Sequence, residues 1–224
     1  MRFPLLRSPE DVIALVQEVG FLPFFAGNIP GFSVEEMCPP DLWFSSEQDG
    51  PWEWKGPIIR QGSCMYGKIY GGRAGYVSLD WLPDFCNHRR DGYDFEGWYE
   101  DGHAPRKHKL LYDCIEAHGR IHTKALKRAC DFVKDGSKGF DTAITRLQMQ
   151  TFVTIADFTY MQDKSGKPYG WGVAVYATPE HLHGEEALEV IAGRTPAQSR
   201  ARIAGWLEHL FPHESEKALG RIIG

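Results

Sequence analysis

The sequence predicts an α+β protein whose core is a winged helix-turn-helix, that is, three short helices followed by a β-hairpin wing. Three amphipathic segments lie between residues 106 and 151, with apolar residues at intervals of three and four. Two β-branched and aromatic runs, at 151–160 and 171–177, then flank a polar turn at 163–168 that contains Gly and Pro. Around this core we expect an irregular, aromatic-rich α+β region at 1–103 and C-terminal helices.

The first two helices of the core are short and carry narrow apolar faces. The first is predicted at 107–118 and ends at Gly119, a residue that commonly terminates helices. Its inner face consists of four residues at helical spacing, namely Leu111, Cys114, Ile115 and His118. Thr123 is expected to cap the second helix. The inner stripe of that helix is Leu126, Cys130 and Val133.

The third helix begins near Gly139 and is predicted to be the recognition helix of the motif. Its apolar stripe is Phe140, Ile144, Leu147 and Thr151, at spacings of four, three and four. This leaves three residues facing outward toward the major groove of DNA, namely Thr142, Thr145 and Arg146. After it comes the hairpin wing, whose tip carries two lysines placed to meet phosphate, Lys164 and Lys167.

Charge is distributed unevenly along the chain. The formal net charge is −5, which argues against a protein that simply coats nucleic acid. Residues 104–147 nevertheless sum to +5, whereas residues 1–103 sum to −8 and residues 148–224 to −2. The positive charge is therefore concentrated in the helix-turn-helix. The alternative is that these cations form an ordinary solvated face on small helices.

Length and composition indicate a folded protein. The chain has 224 residues, 42% of them hydrophobic and 13% aromatic, which is enough for a buried core in one large or two small domains. We expect three segments, at 1–103, 104–178 and 179–224. No apolar run is long enough for a membrane span, and residues 1–9 are too broken by proline for a signal peptide, so the expected location is the cytoplasm.

Five cysteines without metal-ligand spacing predict reduced thiols, with neither a metal nor a cofactor.

The outer segments carry simpler signals. A helix is predicted after Ser8, which serves as its cap, and it ends at Gly20. We expect irregular chain at 21–57, a hairpin at 57–79, and a short helix capped by Asp80 that runs to Asn87. Residues 88–94 and 95–102 are expected to be loops, and 199–211 an amphipathic helix.

Several short segments together resemble a known family. They are Gly31-Phe32-Ser33-Val34-Glu35-Glu36, Trp52-Glu53-Trp54, Arg89-Arg90-Asp91-Gly92-Tyr93-Asp94, Leu147-Gln148-Met149-Gln150-Thr151 and Tyr169-Gly170-Trp171-Gly172. The chain resembles, from about residue 21 to 180, a bacterial group related to the crosslink-repair DNA glycosylases of the AlkZ type. The resemblance implies a winged-helix DNA-binding fold. The glycosylases themselves are longer, with three winged helices, whereas this chain has one clear copy.

The resemblance also implies candidate catalytic residues. Those glycosylases carry a motif of Gln, an apolar residue and then Asp or Gln, and Gln148-Met149-Gln150 matches its Gln form. A glutamine amide can orient water for cleavage of an N-glycosidic bond, but it cannot act as a general base. Asp157 and Asp91 are the candidate carboxylates. The two glutamines would act together only on extended chain, because on a helix they lie about 200° apart. The alternative is that both cap the helix and bond the neighbouring strand.

DNA is the expected partner, in double-stranded form, and the expected contact residues are polar or basic: Lys124, Lys127, Arg128, Lys138, Thr142, Thr145, Arg146, Lys164, Lys167, Arg89 and Arg90. For the last two the alternative is pairing with nearby acids such as Asp84 and Asp91. Four aromatic residues could stack on an extruded base or form ordinary core, namely Trp52, Trp54, Tyr66 and Tyr93.

Three functions therefore remain open at this point. The first is a DNA-binding winged-helix protein related to repair glycosylases and acting on damaged bases. The second is a protein-binding or small-molecule-binding module that uses the winged helix as a scaffold, with its site in the aromatic N-terminal region. The third is an active DNA glycosylase. The sequence does not decide whether the chain is an enzyme.

Overall fold

A computed structural model describes residues 3–27, 29–45, 47–132, 139–162, 164, 168–189 and 193–224. The α-helices in this part of the chain are α1 (Pro9–Val19), α2 (Val34–Met37), α3 (Pro51–Gln61), α4 (Leu82–Arg89), α5 (Phe95–Glu100), α6 (Arg106–His118), α7 (Thr123–Ala129), α8 (Phe140–Met149), α9 (Pro179–His183), α10 (Pro196–Leu210) and α11 (Glu216–Ile223). The strands are β1 (Phe21–Pro23), β2 (Cys64–Tyr70), β3 (Arg73–Ser78), β4 (Ile121–His122), β5 (Thr154–Gln162) and β6 (Pro168–Ala177).

The strands form two small antiparallel sheets, which makes the architecture mixed α+β as predicted. The first sheet has the order β1-β3-β2 and the second the order β4-β6-β5. In the first sheet, β2 and β3 form the expected hairpin. Gly71 and Gly72 lie between them with φ of 60° and 82°, and glycine adopts such positive values at little cost.

The second sheet joins the three helices α6, α7 and α8. Strand β4 lies between α6 and α7 and pairs with β6, for example Ile121 with Tyr176. Strands β5 and β6 follow α8 and pair with each other along most of their length. In its described part, the segment 106–177 therefore consists of helix, strand, helix, helix, strand and strand in that order.

Most of the helix boundaries that were predicted from local signals are confirmed. Helix α1 begins after Ser8, whose hydroxyl accepts a hydrogen bond from Asp11 N, and it ends at Gly20. Helix α6 ends at Gly119 as expected, and α8 begins after Gly139. The cap of α7 is His122 rather than Thr123, because the His122 ring accepts from Lys124 N. Val133 lies outside the described residues.

The predicted irregular chain at 21–57 was wrong at β1, at α2 and in its last part, where α3 begins at Pro51. Proline is tolerated at the first turn of a helix, and the Glu53 carboxylate accepts from Gly50 N to close that turn. Burial of Trp54, Ile58 and Ile59 stabilises the helix despite Pro57 in its interior. Sequence signals alone favoured a break there.

The loop predicted at 95–102 was also wrong, because α5 occupies Phe95–Glu100. Its cap is Asp94, whose carboxylate accepts from Gly97 N at 2.8 Å. Phe95 is buried and stacks on Tyr112 of α6, with ring centroids 3.9 Å apart. Six residues are too few to show a helical period, so the helix depends on this packing.

One apolar core extends through all three expected segments. Helix α8 packs on β2, and the Thr154 hydroxyl of β5 donates to Tyr66 O of β2 at 2.9 Å. The three segments predicted with boundaries at 103 and 178 therefore contribute to one core. Their division into separate domains stays a prediction. No helix among the described residues is both long and apolar enough to cross a membrane.

Candidate functional site

A cavity of about 870 Å³ lies where four elements meet. Its walls come from the β2–β3 turn, the end of α4, the end of α8 and helix α11. Four arginines and a histidine line it, namely Arg73, Arg89, Arg146, Arg221 and His88. Among the described residues, no Asp or Glu belongs to this lining. The cavity is therefore electropositive and suited to an anionic ligand.

Three residues predicted from sequence as site residues line this one cavity. They are Arg89, Arg146 and Gln150, which come from α4 and from the end of α8. Arg146 and Gln150 lie four residues apart, one helical turn, and so share a face. Two further arginines, a histidine whose pKa is lowered by burial, and an indole were missed by sequence reasoning, namely Arg73, Arg221, His88 and Trp98. They are far apart in sequence and lack a common motif.

Gln148 does not reach the cavity lining. Its side chain is 0% exposed, and both ends of the amide are occupied. The amide oxygen accepts from Lys68 N at 2.9 Å, and the amide nitrogen donates to Ile144 O at 3.2 Å. A Cβ at Gly67 would lie 3.3 Å from that oxygen, so glycine allows the close approach of β2. This arrangement joins α8 to β2.

Gln150 faces a different environment. It is the C-cap of α8, with φ −85° and ψ 3°, so the backbone from Gln148 onward is helical rather than extended. The two side chains therefore diverge, as a helix requires. Gln150 is 8% exposed, and its amide oxygen is buried without a hydrogen-bond partner among the described residues. A buried acceptor without a donor costs stability, so this oxygen is an unsatisfied acceptor in a residue that lines the cavity.

Arg89 is bound to backbone rather than to an acid. Its guanidinium donates to Met149 O at 3.0 Å, Ile222 O at 3.1 Å and Ile223 O at 2.6 Å. These bonds occupy three of its five N–H groups and tie α4 to the ends of α8 and α11. Desolvation by burial lowers the pKa of Arg89 to about 10, so it remains charged at neutral pH.

Arg90 holds the chain on the other side of Gln150. It donates to Thr151 O at 2.6 Å and forms an ion pair with Glu180 at 2.5 Å. Thr151 has φ 61°, a left-handed conformation that is unfavourable for a threonine. The two adjacent arginines therefore fix the backbone before and after Gln150.

The alternative that these arginines pair with Asp84 or Asp91 was wrong, although Arg90 does pair with another acid, Glu180. Asp84 instead pairs with Arg194 and Arg202, and Asp91 is exposed. Asp157, the other candidate carboxylate for water activation, pairs with Arg60 at 2.7 Å. Neither Asp91 nor Asp157 lines the cavity.

The remaining residues that were predicted to contact DNA differ in their exposure to solvent. Exposed side chains are Lys124, Arg128, Thr142, Arg146 and Lys164. Lys127 is half-buried, with its ammonium 4.6 Å from the centre of the Phe140 ring. Thr145 is also half-buried, since Gly72 of the β2–β3 turn approaches its methyl group. That turn covers part of the outward face of α8. Lys138 and Lys167 lie outside the described residues.

The four aromatic candidates for base stacking are mostly core. Trp54 and Tyr66 are buried, and Trp52 and Tyr93 are half-buried. Tyr66 contacts the rings of Phe24, Tyr76 and Phe158. None of the four lines the arginine cavity, where Trp98 is the aromatic residue beside Tyr70. In the described part of the chain no group of three or more His, Cys, Asp or Glu could hold a metal ion.

Comparison with known proteins gives one family and one structure. The AlkZ related family matches residues 6–224. A DNA glycosylase AlkZ from Streptomyces sahachiroi has a similar structure, with 10% identity and a TM-score of 0.47. The match covers 98% of this chain and 60% of that one, so the chain spans about three fifths of that glycosylase's length. No curated protein matches the sequence.

The resemblance expected from the short segments is thus confirmed over nearly the whole sequence. The matched range includes the cavity, both glutamines and both arginines. This chain belongs to the AlkZ related family.

Proposed function

We propose that this chain is a DNA-binding protein in which residues 106–177 form a winged helix-turn-helix and the arginine cavity receives a nucleotide of damaged DNA. The order of α6, β4, α7, α8, β5 and β6, with sheet order β4-β6-β5, supports the winged helix. Membership of the AlkZ related family supports the link to DNA repair.

The observation that carries the proposal is the convergence of Arg89, Arg146 and Gln150 on one cavity without an acidic lining residue in the described chain. Arginine donates in a planar fork that matches phosphate oxygens. Gln150 lines the same cavity, and its amide would accept from an exocyclic amine or a sugar hydroxyl once the side chain turns toward the ligand. A phosphate and a polar nucleoside edge are thus the groups that this lining complements.

Arg146 connects the cavity with the rest of the proposed DNA surface. It is exposed on α8, as is Thr142, and it also lines the cavity. Lys124, Arg128 and Lys164 would hold the backbone on either side, while the β2–β3 turn beside Thr145 limits how far α8 enters a groove. We therefore place Arg146 at the entrance of the cavity.

The test is fluorescence anisotropy of a labelled duplex, undamaged and abasic, at 50 and 200 mM salt. Six to ten phosphate contacts would lower affinity by roughly 10³ to 10⁵ between these concentrations. Arg146→Ala should weaken binding and reduce the salt slope by about 1. Arg7→Ala, an exposed arginine outside the cavity, is the matched control and should bind as the parent does. Salt-insensitive or absent binding contradicts the proposal.

For an active glycosylase, Gln150 is the residue that would orient water beside the scissile bond. Gln148 is occupied by β2 and α8, so the joint action of both glutamines has no support in this geometry. Single-turnover base release from alkylated or crosslinked DNA should then be lost in Gln150→Ala while DNA binding persists. Absence of release from any lesion would favour the second candidate, a module that binds without catalysis, since the described lining lacks a carboxylate to act as base.

A further inference from the structure

A second pocket, of about 350 Å³, lies on α3 and the β5–β6 hairpin and shares no lining residue with the arginine cavity. Its side walls are aromatic, with contributions from Trp43, Phe44, Trp52 and Tyr160. Phe44 is 83% exposed, so one apolar ring stands open to solvent at this pocket. Lys55 supplies the amine of the lining.

The ammonium group of Lys55 is surrounded by rings rather than by carboxylates. Its Nζ lies 4.5 Å from the centre of the Trp52 ring, 4.6 Å from that of Phe158 and 5.7 Å from that of Phe24. Within the part of the chain that the structure describes, Lys55 forms no ion pair. By contrast, Lys109 of α6 contacts both Glu96 and Asp113.

The carboxylate nearest in sequence is committed elsewhere. Glu53 closes the first turn of α3 by accepting from Gly50 N at 3.0 Å. Aromatic faces attract a cation and favour its ammonium form, but more weakly than an ion pair in a buried site does. The pocket thus presents an amine in an apolar, partly closed site.

Burial changes the protonation of this amine. Desolvation lowers the pKa of Lys55 to about 8, while the charge of Glu53 opposes that shift. At pH 7 roughly one molecule in ten then carries the free amine, against about one in a few thousand for an ordinary lysine. A desolvated lysine with a free lone pair is the form that attacks carbonyl carbon.

We propose that Lys55 is a nucleophilic amine that forms an imine with an aldehyde whose attached group stacks in this aromatic pocket. The Nζ lone pair attacks the aldehyde carbon, and a proton moves from nitrogen to the former carbonyl oxygen to give a carbinolamine. Loss of that oxygen as water forms the carbon–nitrogen double bond, and hydrolysis reverses the sequence. Ser45, Glu53 and Tyr160 line the same pocket and carry oxygen atoms that would relay these protons.

Two sources could supply the aldehyde, namely a free aromatic aldehyde and the ring-opened sugar of abasic DNA. The proposal does not depend on the DNA-binding function, because its pocket and its residues are separate from the arginine cavity. Both sources share the reacting carbon, and an experiment with both can distinguish them.

The experiment treats the full chain with benzaldehyde, or with an abasic duplex, in the presence of cyanoborohydride, and maps reduced adducts by peptide mass spectrometry. Benzaldehyde should modify Lys55 at least tenfold faster than the exposed Lys217 at pH 7, with half-maximal rate near pH 8. Lys55→Arg retains a cation over the rings and should lose the adduct while its thermal midpoint stays near that of the parent.

The outcomes separate clearly. Modification of Lys55 by both probes, or by either one alone, supports the proposal and identifies the source. Equal rates at Lys55 and Lys217 with benzaldehyde, together with no reduced adduct to abasic DNA, would overturn it. The benzaldehyde experiment measures modification of Lys55 and does not depend on DNA affinity. A negative result in it is therefore distinct from a negative result in the DNA-binding experiment.

Discussion

The arginine cavity and the Lys55 pocket both place cations in partly buried sites, but they stabilise them in different ways. In the cavity, Arg89 donates to three backbone carbonyls and keeps its charge. In the pocket, Lys55 contacts three aromatic rings and forms no ion pair among the described residues, although Glu53 lines the same pocket. A guanidinium with fixed acceptors serves as a structural clamp and an anion site, whereas burial lowers the pKa of the Lys55 amine and brings it closer to losing its proton.

The largest expected effect is at the clamp. Arg89→Ala removes three charge-assisted hydrogen bonds and leaves the carbonyls at the ends of α8 and α11 without this donor, so unfolding free energy should fall by about 3 kcal/mol or more. Urea unfolding measures this loss. Arg89→Lys should be intermediate, because an ammonium cannot reproduce the fork. A loss below about 1 kcal/mol in Arg89→Ala would show that the clamp contributes little.

Next in size is the contrast between the two glutamines. Gln148→Met should destabilise by about 1 to 3 kcal/mol, because Lys68 N loses its acceptor in a buried site. Thermal and urea unfolding of this variant measure the loss. A change within 0.5 kcal/mol would mean that the bond between α8 and β2 is not needed for stability.

Substitution of Lys55 is expected to increase stability, whereas the substitutions at Arg89 and Gln148 decrease it. Its pKa is about 8 in the fold and near 10.5 in the unfolded chain, so between these values the unfolded chain binds more protons and stability rises with pH. Below pH 8 the full cost of the buried charge is present. Lys55→Met should therefore stabilise the protein at pH 7 by on the order of 1 to 2 kcal/mol, after allowance for partial exposure. The gain should disappear above about pH 10.5 in thermal melts. A gain that is constant from pH 7 to 10.5 would contradict the proton linkage.

The smallest expected effect is at Gln150. Gln150→Met should change stability by less than about 0.5 kcal/mol or raise it slightly, since an acceptor without a partner in the described chain is replaced by an apolar group of similar size. The measurement is the same unfolding series used for Gln148→Met. Destabilisation equal to that of Gln148→Met would show that both glutamines are structural.

Sequence reasoning predicted some individual residues of the arginine cavity but not the cavity itself. Arg146 followed from its outward position on a predicted helix, and Gln150 from a short motif in the resemblance. The residues that complete the cavity, Arg73, His88 and Arg221, carried no local signal because they come from separate elements. Lys55 was not predicted at all, since its helix was taken for irregular chain.

The sequence by itself determined helices such as α1 and α6, the two hairpins and the family. These depend on interactions within a few residues, such as the Ser8 cap of α1 and the glycines between β2 and β3. Only the tertiary structure decided which glutamine is buried in a bond to β2, what Arg89 and Arg90 hold, and what surrounds Lys55. Burial and hydrogen bonding of a side chain depend on partners that are distant in sequence. A local sequence pattern does not show which of those partners lie close in space.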